Sequence, residues 1–168
     1  MKPLLSLLKN EPGQVDILSV EQVLALCGGG KLTDGSECSR DFRDYLQIAT
    51  STNLAKYLKS CLQGPFDRSG NALQDIVNEL GRRLDYSVEM ACTKAEPTRL
   101  DLTGCGPNLA STLVVEVKTT DAYRINLDTI GGYREALIHS GKITAKSSVL
   151  LVVGRQDTGD LEAQVRGS

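Results

Sequence analysis

Two carboxylates and a lysine are the residues of this chain whose types and spacing could do chemistry together. Asp101 lies between two leucines, and Glu116 and Lys118 close an otherwise aliphatic run. Charged groups in apolar segments are costly to bury, so these side chains need a partner or an aqueous cleft. Two carboxylates and a nearby backbone carbonyl form the hard oxygen site that Mg²⁺ prefers, and a lysine beside them can stabilise developing negative charge. The three residues therefore indicate a metal site.

Strand geometry strengthens this interpretation. The aliphatic run predicts a strand, in which alternate residues share a face, so Glu116 and Lys118 emerge together. Asp101 belongs to a second predicted strand over residues 98–102, and the turn-forming cluster 104–108 separates the two. Antiparallel pairing of these strands would bring Asp101 near Glu116. The alternative for Glu116 and Lys118 is a simple ion pair on an edge strand, which contributes little to stability.

The elements that must position these residues follow from hydrophobic periodicity. The predicted elements are a helix over 71–84, strands over 86–90, 98–102 and 113–118, a helix over 127–139 and a strand over 148–153. Residues 160–165 begin a further helix close to Ser168, so we expect the chain to be a piece of a longer protein.

The first 65 residues are predicted to form short helices and loops. The run Gly28-Gly29-Gly30-Lys31 invites comparison with a phosphate-binding loop. That motif requires a glycine at the position of Ala25 and a hydroxyl residue at the position of Leu32, so the comparison fails. A flexible turn is the preferred interpretation.

Asp101, followed after a gap by Glu116-Val117-Lys118, resembles the PD-(D/E)xK nuclease superfamily, which includes restriction endonucleases and archaeal Holliday-junction resolvases. The segment 71–89 is similar to the leading helix and first strand of its Mrr-like and resolvase branches. The resemblance covers residues 69–153. It implies an α/β fold with a restriction-endonuclease-like core over 66–168, in which helices flank a mixed central sheet in the order α-β-β-β-α-β, after a helical N-terminal region over 1–65.

The same resemblance implies the chemistry. Mg²⁺, with Mn²⁺ as a substitute, would be held by Asp101, Glu116 and the carbonyl of Val117, and Lys118 would be the catalytic lysine. The expected reaction is hydrolysis of DNA phosphodiester bonds, in restriction or another anti-phage defence role. A homodimer, or membership of a larger protein or complex, is the expected assembly.

The sequence departs from the family pattern in two places. The proline nearest to Asp101 is Pro97, which is not adjacent to it, and Gln74 stands where many relatives carry a glutamate. Glu79 lies about 140° around the helix from Gln74, so the two are not equivalent, and both are candidates to complete the catalytic site. Gln74 and the negative net charge favour a rival interpretation, a DNA-binding or assembly module that has lost turnover, whereas the intact set Asp101, Glu116 and Lys118 argues against it.

DNA contacts are expected just beyond the predicted strands, where hydroxyls, a phenol and guanidinium groups suit phosphate oxygens. The candidates are Thr119, Thr120, Tyr123, Arg124 and Arg155, with Arg134 in the second helix as a further one.

Composition sets the remaining bounds. The chain is 40% apolar and has no Trp, two Phe and five Tyr, so we expect a mainly aliphatic core. Its net charge of −2 argues against a surface devoted wholly to nucleic acid. Five scattered cysteines and a single histidine predict buried, reduced thiols rather than a disulfide frame or a zinc site. The apolar run 4–8 is too short to span a membrane, and a cytoplasmic protein is expected.

Overall fold

The computed structural model describes residues 3–64, 66–90, 98–102, 111–119 and 126–154, and it is a mixed α/β chain, mostly helical with a small sheet. The helices are α1 Pro3–Asn10, α2 Pro12–Ile17, α3 Val20–Leu26, α4 Glu37–Ile48, α5 Ser51–Gln63, α6 Ser69–Arg83 and α7 Leu127–His139. The strands are β1 Tyr86–Glu89, β2 Thr98–Leu102, β3 Ser111–Lys118 and β4 Ser148–Val153.

The chain divides into two compact units, Met1–Glu79 and Leu80–Ser168, so the division lies inside α6. The sequence predicts a boundary earlier, between residues 65 and 66, because the hydrophobic periodicity becomes clear after Gly64-Pro65. Helix α6 continues the first unit beyond that dipeptide.

Local chemistry starts the helices of the first unit. The Ser19 hydroxyl accepts a hydrogen bond from the backbone N–H of Gln22, and the Gln22 side chain accepts one from the backbone N–H of Ser19. Ser36 and Thr50 cap α4 and α5 through single side-chain oxygens. Each cap satisfies a backbone donor that has no partner within the helix, which fixes where the helix begins.

The core of the first unit contains more aromatic surface than the composition suggests. Its largest fully buried side chains are Tyr45, Tyr57 and Phe42, which pack among aliphatic residues. The two tyrosine hydroxyls lie 2.9 Å apart and hydrogen-bond to each other. This contact satisfies the polar end of each ring in the interior, so α4 and α5 bury both rings fully.

In the second unit the four strands form one sheet in the order β1-β2-β3-β4. The β1–β2 and β2–β3 pairs are antiparallel, whereas β3 and β4 are parallel. A parallel pair needs a crossover connection, and α7 supplies it.

Helix α7 packs on the sheet through both of its ends. Ile130, in its first half, contacts Leu151 and Val153 of β4. Leu137, in its second half, belongs to a cluster with Val114 of β3. The helix therefore runs antiparallel to β3 and β4, and its N-terminal turn lies near the carboxyl ends of those strands.

Most of the predicted elements are present with small changes of boundary. The predicted helix over 71–84 is α6, and the predicted helix over 127–139 is α7. The predicted strand over 113–118 begins two residues earlier, at Ser111. The further helix predicted over 160–165 lies outside the described residues. In the part of the chain that is described, no helix has the length and apolar character needed to cross a membrane.

Candidate metal and active site

Strand β3 carries Glu116 and Lys118 on one face near its carboxyl end. Val114 lies on the same face and is fully buried, in a cluster with residues of α7 and the loop that follows it. Val115 points to the opposite face and is also buried. The strand is therefore buried on both faces at its centre and becomes polar where it ends, which is where a site open to solvent would lie.

The Lys118 Nζ atom lies 2.5 Å from the Glu116 Oε1 atom. The Glu116 side chain is 16% exposed and that of Lys118 is 47% exposed. The carboxylate is therefore largely withdrawn from water, and the ammonium group provides charge compensation that water supplies only in part. The predicted convergence of these two residues on one face is confirmed.

Asp101 lies on the same face of the sheet as Glu116, but the two residues are offset along the direction of the strands. Strands β2 and β3 are antiparallel, as predicted, and the register pairs Asp101 with Thr112. Directly paired residues share a face, and Thr112 shares its face with Glu116. Glu116 lies four positions after Thr112 in β3, which is roughly 14 Å along a strand.

The same register holds over all five described pairs of β2 and β3, from Thr98–Val115 to Leu102–Ser111. Residues 103–110 join Leu102 to Ser111, and these two residues form the last described pair of the hairpin. Pairing Asp101 with Glu116 would require β2 to shift by four residues along β3. At this register one cation with metal–oxygen distances of about 2.1 Å does not bridge both carboxylates. That Asp101 binds the metal stays a prediction.

The carbonyl of Val117 points away from β4. The backbone N–H of Gly154 donates to the Lys118 carbonyl at 3.1 Å, so the Lys118 carbonyl points towards β4. Successive carbonyls of a strand point to opposite sides, which directs the Val117 carbonyl towards the β2 side. On that side, the Val117 carbonyl lies beyond Val115, which is the last residue of β3 in the described pairing with β2. This orientation suits the predicted role of that carbonyl as a ligand.

Gln74 and Glu79 lie on α6 in the first unit, whereas Asp101, Glu116 and Lys118 belong to the second. The Gln74 amide donates to Asn78 Oδ1 at 3.0 Å, and the Glu79 side chain is buried. Their participation in catalysis stays a prediction. Asn78 is a buried amide that the sequence analysis missed, and its i,i+4 spacing from Gln74 is the signal that could have found it.

Of the predicted DNA contacts, Thr119 follows directly on β3 and is half-buried. Thr120, Tyr123, Arg124 and Arg155 lie outside the described residues. Arg134, the further candidate, has a structural role, and its contact with DNA stays a prediction. Its guanidinium group donates to the carbonyls of Ala145 and Ser147 and to the Glu135 carboxylate, and it thereby holds the loop that leads into β4.

The glycine run before Lys31 forms a turn. Gly29 and Gly30 adopt left-handed backbone angles, with φ of 71° and 64°, which favour glycine. The backbone N–H of Gly28 donates to the Asp41 carboxylate at 3.0 Å. An open depression of about 400 Å³ lies along residues 25–31. The negative group at this turn is the carboxylate of Asp41. The structure therefore assigns the glycine run a conformational role.

The three cysteines that the structure describes, Cys27, Cys38 and Cys61, are buried thiols outside any disulfide, as predicted. Burial raises the pKa of the Cys61 thiol to about 12. Burial is also the main reason that the pKa of Cys38 is raised. Both thiols are therefore held in the neutral form.

Among the described side chains, no three His, Cys, Asp or Glu residues come together in a way that could hold a metal ion; the Asp101 side chain is not among those described. Comparison of the chain with protein-family models, with curated proteins and with solved structures finds no match.

Proposed function

We propose that this protein is a metal-dependent DNA endonuclease of the PD-(D/E)xK type that acts in restriction or another anti-phage defence role. The observation that carries the proposal is the pairing of Glu116 with Lys118 on one face at the carboxyl end of β3. A carboxylate that can hold a cation therefore lies beside a cation that can stabilise a phosphate.

The order and direction of the elements support the proposal. A helix, three strands, a helix and a strand follow one another, with β3 central and parallel to β4. This is the arrangement expected of a restriction-endonuclease-like core. Asp101, the third residue of the motif, shares the face of Glu116.

Strand β3 offers some of the oxygen ligands that a hard divalent cation needs. Glu116 already accepts a cationic group, and the Val117 carbonyl is oriented away from β4. Asp101 would join them only if β2 moved along β3, so the ligands assigned with the least rearrangement are Glu116 and the Val117 carbonyl. When bound, Mg²⁺ would supply polarisation of the scissile phosphate and activation of water.

Side chains and a helix end of the protein would supply the interactions with the phosphate groups of the DNA. Lys118 would stabilise the negative charge that develops on the phosphate oxygens. The N-terminal turn of α7 lies near the same strand ends, and its positive dipole end favours a phosphate group. Thr119, Thr120, Tyr123, Arg124 and Arg155 are the proposed contacts to the DNA backbone.

Plasmid cleavage is the direct test. Wild-type protein, Glu116→Gln, Lys118→Ala and Asp101→Asn are incubated with supercoiled plasmid in Mg²⁺ or Mn²⁺, with an EDTA control. We expect wild-type cleavage and a loss of about 10² to 10³-fold in each of the first two variants. Lys146→Ala, which removes an exposed lysine elsewhere in the same unit, should cleave like wild type. Cleavage that survives Glu116→Gln would contradict the proposal.

A DNA-binding or assembly module without turnover is the second candidate. The register that separates Asp101 from Glu116 favours it, because the predicted ligands are not brought together. Such a module would bind DNA equally well with EDTA or Mg²⁺ and would cut none. Cutting both strands calls for two active sites, so the nuclease is also expected to be a homodimer, which light scattering after size-exclusion chromatography would measure.

A further inference from the structure

We infer that Lys118 is a built-in competitor of the metal for Glu116: its ammonium group occupies Oε1, one of the two oxygens through which the Glu116 carboxylate can bind a divalent cation. This inference rests on the proposed function and concerns how the same site is controlled. It goes beyond a lysine that only acts on the phosphate, because it assigns Lys118 a role before substrate arrives.

The contact itself is the first reason. The Lys118 Nζ atom lies 2.5 Å from Glu116 Oε1, which is a direct charge-assisted contact with no room for a water molecule or a metal ion between the two atoms. A cation that binds Oε1 must therefore displace the ammonium group.

The surroundings are the second reason. The positions of β4 that pair with Glu116 and Lys118 are Leu151 and Val153, and both pack under α7. The neighbouring strand thus offers the carboxylate no polar group on this face. Since only 16% of the Glu116 side chain is exposed, Lys118 supplies its compensating charge.

The reach of the lysine is the third reason. Lys118 is 47% exposed at the end of the strand, so its long side chain can move into solvent when a metal arrives. A divalent ion at Glu116 would also repel the ammonium group across a short distance. Metal binding and release of Lys118 are therefore one coupled step, and the freed ammonium group becomes available to a phosphate.

The test measures Mn²⁺ binding to the full chain by titration calorimetry, without DNA, in wild type, Lys118→Gln, Lys118→Arg and Glu116→Gln. Lys118→Gln should bind Mn²⁺ about tenfold more tightly than wild type, since the competitor and its repulsion are gone. Lys118→Arg should stay within about twofold of wild type, since it keeps the charge. Lys146→Gln changes the net charge equally at an exposed position away from the site and should also match wild type.

A second readout follows the lysine. With a limiting amine-acylating reagent and mass spectrometry, Mn²⁺ should raise the acylation of Lys118 relative to Lys146 in wild type. Equal or weaker Mn²⁺ binding by Lys118→Gln overturns the inference and leaves the metal site standing. Absence of Mn²⁺ binding in every variant, or binding that Glu116→Gln leaves intact, overturns both the inference and the metal centre of the proposed function.

Discussion

Asp101 pairs with Thr112 across β2 and β3, four residues from the level of Glu116 on the same face of the sheet. Side chains of a strand alternate between the two faces of the sheet, so residues an even number of positions apart lie on the same face. The arrangement thus keeps the three motif residues on one face while separating two of them along it.

Paired cysteines would measure this register. Asp101→Cys with Thr112→Cys should form a disulfide on mild oxidation, because directly paired residues whose peptide groups do not bond to each other lie about 4.5 Å apart. Peptide mass spectrometry identifies the linkage.

The matched control for that experiment is Asp101→Cys with Glu116→Cys. It should stay unlinked, because its two positions lie roughly 14 Å apart along the strand. Efficient linking of the control pair, with or without Mn²⁺, would show that Asp101 does reach the level of Glu116.

The two glycines inside α7 should cost it stability. A Cβ added at Gly131 or Gly132 meets no atom within 4 Å, and both residues are exposed. Glycine is a poorer helix former than alanine by about 1 kcal/mol, so Gly131→Ala and Gly132→Ala should each raise the free energy of unfolding by roughly 0.5–1 kcal/mol. Urea denaturation followed by circular dichroism measures the change.

Gly141, which follows α7, is the opposite case and serves as the contrast. Its φ is +71°, and its backbone N–H donates to the Ile138 carbonyl at 2.9 Å. Gly141→Ala should lower the free energy of unfolding by about 1 kcal/mol, since the left-handed conformation is strained for alanine. A stabilising effect there would contradict this account of the end of α7.

The ion pair between Arg43 of α4 and Asp75 of α6 should stabilise the first unit. The Arg43 Nε atom lies 2.7 Å from Asp75 Oδ1, and only 4% of the Asp75 side chain is exposed. Arg43→Met removes the guanidinium group from a buried carboxylate and should lower the free energy of unfolding by about 2 kcal/mol. Lys59→Met, which removes an exposed cation from α5, should change it by less than about 0.5 kcal/mol.

The hydroxyl contact between Tyr45 and Tyr57 should couple α4 to α5. Tyr57→Phe leaves the buried Tyr45 hydroxyl without this partner and should lower the free energy of unfolding by about 1–2 kcal/mol. The double variant Tyr45→Phe with Tyr57→Phe should lose less than the sum of the two single variants, because it leaves neither hydroxyl behind. Additive losses in chemical denaturation would show that the contact contributes nothing.

Alkaline pH should destabilise the protein through groups that burial keeps neutral. Burial raises the pKa of Tyr57 above its ordinary value of 10.0, and it raises the pKa of Cys61 from 9.0 to about 12. The unfolded chain therefore releases these protons at lower pH than the folded protein does. The stability they contribute is present below about pH 9 and is lost progressively above it.

Thermal unfolding at a series of pH values from about 8 to about 11 would show this loss. Cys61→Ala should flatten the lower part of the decline, because it removes one of the two thiols, Cys38 and Cys61, whose pKa burial raises from an ordinary value of 9.0. An unfolding temperature that does not change over this range would contradict the assignment.

The sequence by itself determined the secondary structure and which residues share a face. Helical spacing from Leu73 to Leu84 predicted α6, and the period of two in β3 put Glu116 and Lys118 together, because both patterns are local consequences of backbone geometry. It also predicted that the cysteines described by the structure are buried, reduced thiols, since cysteine is a small apolar group and the spacing of these residues is not that of a disulfide frame or a zinc site.

Only the tertiary structure decided the contacts that join distant residues. The pairing of Asp101 with Thr112 depends on the register of β2 against β3, and the burial of three aromatic rings depends on how α4 meets α5. The ion pair between Arg43 and Asp75 likewise joins two different helices. The hydrogen bond from Arg134 to the Ala145 carbonyl joins α7 to the loop before β4. No local periodicity encodes such contacts, because they follow from the packing of whole elements, in which many weak interactions are satisfied at once.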